Sequence, residues 1–326
     1  MKALVYDAVE TLTYRDVPDA QAEPGQQLIR IAASGICGSD MHAYLGHDER
    51  RPSPLILGHE AAGIIIGGPR DGERVTINPL VTCGKCPACL SGRDNLCPDR
   101  MIISMPPREG AFAELVTMRD GNLVTVPDNV LLQKAALAEP LACGWHAVRL
   151  AKQALQKPFT EATCLVIGGG AIGVGAALSL RAFGATNVSI VEPNETRRQR
   201  LATIDGLNPV APGTITSADL VIDGVGYAAT RADASAIANP GGVIMHIGLG
   251  ENTSGLDIRR MTLQEITFIG TYTYTAQDFR DTAQAIFDGR LGPLDWTETR
   301  ALKDGNQAFA DIRAGRVAAP KIILEP

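Results

Sequence analysis

A chain of 326 residues exceeds what one hydrophobic core usually organises, so two domains are expected. Its 45% hydrophobic and 20% charged content is that of an ordinary globular protein. The net charge of −6 argues against a nucleic-acid or anionic-membrane surface, either of which needs a basic field. The opening MKALVYDAVETLTYRD alternates apolar and polar residues without the apolar run of a signal peptide. No stretch approaches the roughly 20 apolar residues of a membrane span. The expected compartment is therefore the reducing cytoplasm, where the seven cysteines read as metal ligands or buried small groups rather than a disulfide framework.

Up to about residue 135 the chain is strand-like. KALVYD, QLIRIAASGIC, AAGIIIGG, ERVTINPL and FAELVTM are short runs bounded by Gly, Pro, Asp or Asn, which predicts a compact β unit with irregular loops. From about residue 142 the pattern changes. TCLVIGGG reads as a buried strand, AIGVGAALSLRAFGA as a helix, and NVSIVE, ADLVIDGVG, GGVIMHIGLG and EITFIGTYTY as further buried strands. Strands alternating with helices imply a parallel sheet covered on both faces. AQDFRDTAQAIFDGR predicts a late helix and KIILEP a closing strand. The expected division is a β-rich domain from 1–141 and 276–326, and a doubly wound α/β domain from 142–275.

Cys83, Cys86, Cys89 and Cys97 form C-x2-C-x2-C-x7-C within a lobe spanning 83–97. Two short spacings let successive thiolates converge, and the longer arm supplies the fourth. Four thiolates fill the coordination of a tetrahedral zinc ion, which is the signature of a structural site. An iron–sulfur cluster is the competing reading of a four-thiolate set.

Chemistry needs a site with a position left open. SGICGSDMH and LGHEAAG supply Cys37 and His59, with Glu60 or a more distant carboxylate as a third ligand; ALAEPLACGWHA offers Glu139, where Pro140 opens a helix. Thiolate, imidazole and carboxylate suit zinc with one position free for water or substrate. Further on, Gly168-x-Gly170-x-x-Gly173 follows an apolar strand, opens a helix through Ala171 and Ile172, and is followed by an acid, Glu192, closing the next strand. That context marks a dinucleotide site, with pyrophosphate at the helix N-terminus and Glu192 accepting from the adenosine ribose hydroxyls. A carboxylate there repels a 2′-phosphate, so NAD is preferred over NADP, although Arg197 and Arg198 stand close in sequence. Cys164, inside the strand, reads as core.

GICGSDMH, GHE, the four-cysteine lobe, EP and GGGAIG occur in the order found in zinc-dependent medium-chain alcohol dehydrogenases, and the resemblance covers nearly the whole chain. It is closest to the sorbitol (polyol) and threonine dehydrogenase branch. The resemblance implies a GroES-like catalytic domain joined to a Rossmann domain, two zinc ions per chain and NAD. It implies Cys37, His59 and Glu60 as catalytic zinc ligands, with Glu139 as a fourth, directly or through water, and Cys143 in reserve. It makes Ser39 the hydroxyl that bonds the substrate alcohol, His42 the group passing its proton to solvent, Asp40 an orienting neighbour, and Tyr44 a substrate-pocket residue. The polyol enzymes carry a substrate-contacting Arg near the last sheet strand, where this chain has Thr273. The chain is also shorter than the family between Gly67 and Val75 and between Arg200 and Asp219.

The function expected is hydride transfer between a secondary alcohol and NAD, across a gap where the two domains meet. A threonine-type or simple secondary alcohol is the alternative substrate. A zinc-free quinone reductase would lack the cysteine lobe, and a non-enzymatic dinucleotide sensor would not need Ser39 and His42. The apolar late strands at one sheet edge predict a homodimer or homotetramer.

Overall fold

The computed structural model describes all 326 residues. Two compact units divide the chain: Met1–Glu139 with Thr275–Asp288 and Thr297–Pro326, and Pro140–Tyr274 with Gly289–Trp296. No helix is long and apolar enough to cross a membrane.

The first unit is built on a seven-stranded sheet. In order run Leu123–Thr125, Arg74–Ile77, Glu60–Ile66, Gln26–Gly35, Lys321–Glu325 and Thr297–Ala301, with Leu115–Arg119 also paired to Gln26–Gly35. Along Gln26–Gly35, Ile29 and Ile31 point into a core with Ile65, Val75 and Ile77, while Arg30 between them faces water. This is the alternation expected of a strand buried on one face. The closing strand Lys321–Glu325 lies antiparallel to the end of Gln26–Gly35, pairing Ile323 with Gly35 and Leu324 with Ser34. That register carries Lys321 to the carbonyl of Ile36.

The second unit is a six-stranded, wholly parallel sheet. Its order is Pro209–Val210, Asn187–Val191, Thr163–Ile167, Ala218–Asp223, Ala238–His246 and Thr267–Gly270. The chain winds outward in both directions from Thr163–Ile167, so the order reverses beside that strand. In open α/β sheets such a reversal leaves a ligand crevice beyond the carboxyl ends of the strands. The shortened stretch after Arg200 still forms its strand, reduced to Pro209–Val210 at the sheet edge.

The expected boundary at 276 needs one correction. Gly289–Trp296 packs with the second unit, because Arg200 donates to the Asp295 carbonyl (2.8 Å) and the Arg290 guanidinium lies 5.5 Å over the Trp145 ring.

Candidate functional site

The cysteine lobe closes on itself. The four sulfurs of Cys83, Cys86, Cys89 and Cys97 lie within 4.8 Å of one another, and Cys83 Sγ is 3.9 Å from Cys89 Sγ. A tetrahedron with zinc–sulfur bonds of about 2.3 Å has edges of about 3.8 Å. The separation therefore suits one ion shared by four thiolates, not a cluster whose thiolates sit on separate irons. Backbone N–H groups point at the sulfurs: Cys86 N donates to Cys83 Sγ (3.3 Å) and Cys83 N to Cys97 Sγ (3.4 Å). The N–H groups of Lys85 and Cys86 lower the Cys83 thiol to about 6, while burial and the neighbouring Cys86 push Cys89 up to about 11. Asp94, inside the lobe, accepts from Ala276 N through both carboxylate oxygens (3.2 and 3.1 Å), tying the lobe to the start of the helix Ala276–Phe287.

A second donor set forms where two strands meet. Cys37 follows Gln26–Gly35 and caps the helix Gly38–Tyr44; His59 immediately precedes the neighbouring strand, which Glu60 opens. One ligand atom from each of Cys37, His59 and Glu60 lies within 4.8 Å of the others. The antiparallel register sets Glu60 opposite Gly35, and a Cβ at residue 35 would sit 2.0 Å from Glu60 Oε2. Only glycine leaves room for that carboxylate.

Asp40, wholly buried, organises the set. Its Oδ2 accepts from Cys37 N (3.0 Å), and its Oδ1 accepts from Gly58 N (3.3 Å) and lies 3.4 Å from His59 Nδ1. A carboxylate only accepts, so Nδ1 carries a ring hydrogen, which leaves Nε2 as the nitrogen that can ligate a metal once its own proton is displaced. Burial disfavours the imidazolium, but the Asp40 carboxylate and the Cys37 thiolate outweigh it and raise the His59 pKa well above its ordinary value. This pocket thus carries a field that draws a cation. Burial also pushes the Asp40 carboxyl up, and the charges of His59 and Arg51 bring it below its ordinary value.

Lys321 was not foreseen. Its Nζ donates to Glu60 Oε1 (2.6 Å) and to the Ile36 carbonyl (2.7 Å), leaving Glu60 Oε2 buried with no hydrogen-bond partner. An orphaned carboxylate oxygen beside a thiolate and an imidazole fits a divalent ion. The only signal in the sequence was a cation opening an apolar strand, KIILEP.

The remaining expected residues fall as follows. Ser39 Oγ lies 3.5 Å from His59 Nε2, and His42 is exposed at the end of its helix. Glu139 is buried in the first turn of the helix Ala138–Ala154; it stands outside the trio that converges within 4.8 Å, but its charge acts on Lys321. Cys143 belongs to the second unit. Tyr44 is 4% exposed in the core of the first unit, with its ring 5.2 Å from that of Phe309. A helix packed on one face buries one of its sides, and Tyr44 lies on that side with Ala43.

In the second unit, Gly168 adopts φ +99° and Gly170 caps the helix Ala171–Ala182, which opens with Ala171 and Ile172. A Cβ on Gly173 would lie 1.8 Å from the Gly168 carbonyl oxygen, so the helix reaches the turn only because that position is glycine. The N-terminus of such a helix favours an anion. Glu192 is buried next to it, accepting from Gly169 N (3.0 Å) and Asn194 N (2.8 Å). Arg197 lies 3.7 Å from the Glu192 carboxylate, and Arg198 donates to the carbonyls of Glu192 and Pro193. Thr273, after the edge strand, holds φ +45° and a buried Oγ1 with no hydrogen-bond partner.

Comparison with known proteins agrees across the chain. The family described as "Alcohol dehydrogenase GroES-like domain" matches residues 23–128, and the one described as "Zinc-binding dehydrogenase" matches residues 171–288. A sorbitol dehydrogenase of Bacillus subtilis is 32% identical over 298 residues, covering 84% of this chain and 82% of its own. An L-idonate 5-dehydrogenase of Vitis vinifera is 30% identical over 274 residues, covering 76% and 73%. The structure of an acetophenone reductase from Geotrichum candidum, in complex with NAD, superposes with a TM-score of 0.87 at 26% identity, covering 100% of this chain and 97% of that one.

Proposed function

Since the chain belongs to the zinc-binding alcohol and polyol dehydrogenase family, we propose that it oxidises a secondary alcohol of the polyol, sugar-alcohol or sugar-acid class, with NAD as hydride acceptor. Cys37, His59 and Glu60, with Glu139 as fourth ligand directly or through water, would hold a zinc ion that would supply Lewis acidity toward an alcohol, and NAD would supply the hydride acceptor. A second zinc held by Cys83, Cys86, Cys89 and Cys97 is structural. The observation that carries the reading is the convergence of the Cys37, His59 and Glu60 donors, with Glu60 Oε2 buried and unpartnered.

The protein's own groups then have definite tasks. Asp40 holds Cys37 and His59 in place. Ser39 Oγ bonds the alcohol and accepts its proton while passing its own hydroxyl proton on toward His42. His42, three residues on and therefore on the same side of the helix, releases that proton to water from its exposed ring. The turn Gly168–Gly173 cradles the dinucleotide pyrophosphate, and Glu192 selects the ribose of NAD over a 2′-phosphate.

The edge strand Thr267–Gly270 leaves its outer side unpaired, and Leu249, Ile258 and Leu263 are exposed nearby in sequence, which supports a homo-oligomer. Seven free thiols and no disulfide suit a reducing cytoplasm. The test is a panel of sugar alcohols, sugar acids, amino acids and short diols, followed by NADH formation, with zinc measured alongside. The reading requires turnover of one alcohol that disappears when metal is removed. Oxidation of the best alcohol by metal-depleted protein refutes the zinc role, and two zincs per chain with no turnover favours a dinucleotide sensor. Sedimentation at micromolar concentration distinguishes monomer, dimer and tetramer.

A further inference from the structure

His59 stands between two serines brought from distant parts of the chain. Ser39 Oγ faces Nε2 at 3.5 Å, and Ser104 Oγ faces Nδ1 at 3.4 Å beside Asp40 Oδ1. Ser104 is wholly buried and adopts φ +68°, a left-handed conformation unusual for a residue with a Cβ. Such a conformation persists only where its surroundings over-determine it.

Arg51 supplies that constraint. Its side chain is 1% exposed, and its Nε donates to the Ser104 carbonyl at 3.0 Å. Its Nη1 donates to Asp48 Oδ2 at 2.7 Å and reaches the Ser39 carbonyl at 3.4 Å. One guanidinium thus holds the backbones of both serines flanking the imidazole. Its planar fork has the geometry for this, and a lysine in its place would offer one nitrogen instead of three.

We propose that Arg51 and Ser104 are positioning residues for His59, a role resting on the metal reading of the Cys37, His59 and Glu60 site. Asp40 cannot fix the ring alone. Both of its oxygens already accept from backbone amides of Cys37 and Gly58, and Oδ1 and Ser104 Oγ stand at the same 3.4 Å from Nδ1, so the two share its hydrogen. Ser104 Oγ gives the Nδ1–H a second acceptor and so defines the ring plane, and Arg51 holds Ser104 in the backbone conformation that presents it. Nε2 is then aimed with its lone pair toward the ion. Groups that orient a ligating histidine in this way typically change metal affinity or turnover by about 10- to 100-fold when removed.

Ser104→Gly tests this with little risk to folding, because glycine adopts φ near +68° readily while deleting only the hydroxymethyl group. Arg51→Met and Arg51→Lys accompany it. Zinc release to a chelating dye is followed with kcat and the NADH dissociation constant. Release from the four-cysteine lobe serves as the internal control. The expected result for Ser104→Gly and Arg51→Met is about 10- to 100-fold faster release from the Cys37 site with a comparable fall in kcat. NADH binding and lobe zinc should be unchanged, and Arg51→Lys should recover part of the loss. Wild-type release rate and kcat in Ser104→Gly overturn the proposal whatever the arginine variants do. Wild-type protein that holds zinc only in the cysteine lobe overturns instead the metal reading beneath it.

Discussion

Replacing Lys321 by methionine keeps most of the length of the side chain and removes its charge. Nζ lies 2.6 Å from Glu60 Oε1, and the two side chains are 3% and 0% exposed. Desolvation lowers the Lys321 pKa, but the charges of Glu60, Cys37 and Glu139 outweigh it and leave it raised. Removing one member of a buried pair strands the other, at about 3–5 kcal/mol. The stranded carboxylate can recover by taking a proton or by binding a metal ion. The loss should therefore be close to full in chelator-treated protein and smaller in zinc-replete protein, with zinc bound more tightly at the Cys37 site in the variant. Urea denaturation of wild type and Lys321→Met, each with EDTA and with zinc, measures both effects. The pH dependence has a definite sign. A lysine whose folded pKa lies above its ordinary 10.5 contributes fully below that value, and its share fades only as pH rises through the folded pKa. The gap between the two proteins should thus persist through neutral pH and narrow in strong alkali. A loss under about 1 kcal/mol in EDTA, the size of an exposed pair, would refute the reasoning. So would a loss that zinc leaves unchanged.

Cys86→Ser should cost one zinc per chain by elemental analysis and lower the melting temperature of the first unit, while NADH still binds; retention of both zincs would contradict the closed four-thiolate site. Glu192→Ser removes the acceptor of Gly169 N and Asn194 N. It should weaken NAD about tenfold or more and raise the NADP-to-NAD ratio of kcat/KM, as a lost charged hydrogen bond of about 1.5–3 kcal/mol implies. Gly173→Ala would drive a methyl group to 1.8 Å from the Gly168 carbonyl. It should abolish dinucleotide binding by calorimetry and destabilise the second unit by about 1–3 kcal/mol, the usual cost of overpacking, with zinc content unaffected.

What could be read in the sequence is what the chain encodes over short distances. C-x2-C-x2-C-x7-C brings its own sulfurs together through one knuckle, and Gly168 to Gly173 need only the strand before them and the helix after. Strand periodicity likewise gave the parallel sheet, since burial on both faces writes itself as an apolar run. Tyr44 shows what local sequence leaves open: the helix carries it, but packing against Phe309 decides which side of that helix is buried. The expected boundary near 276 missed Gly289–Trp296 for the same reason, because the contacts that hold this segment lie with Arg200 and Trp145.

The sequence by itself determined the chemical types of the donors, the turn that receives a dinucleotide and the order of the two domains, because spacing and periodicity are properties of adjacent residues. Only the tertiary structure decided that Lys321 sits against Glu60, 261 positions away, and that Arg51 braces Ser104, 53 positions away. A buried charge finds its partner through the register of strands and the closure of loops. No local pattern announces that register, because it is set by the packing of the whole core.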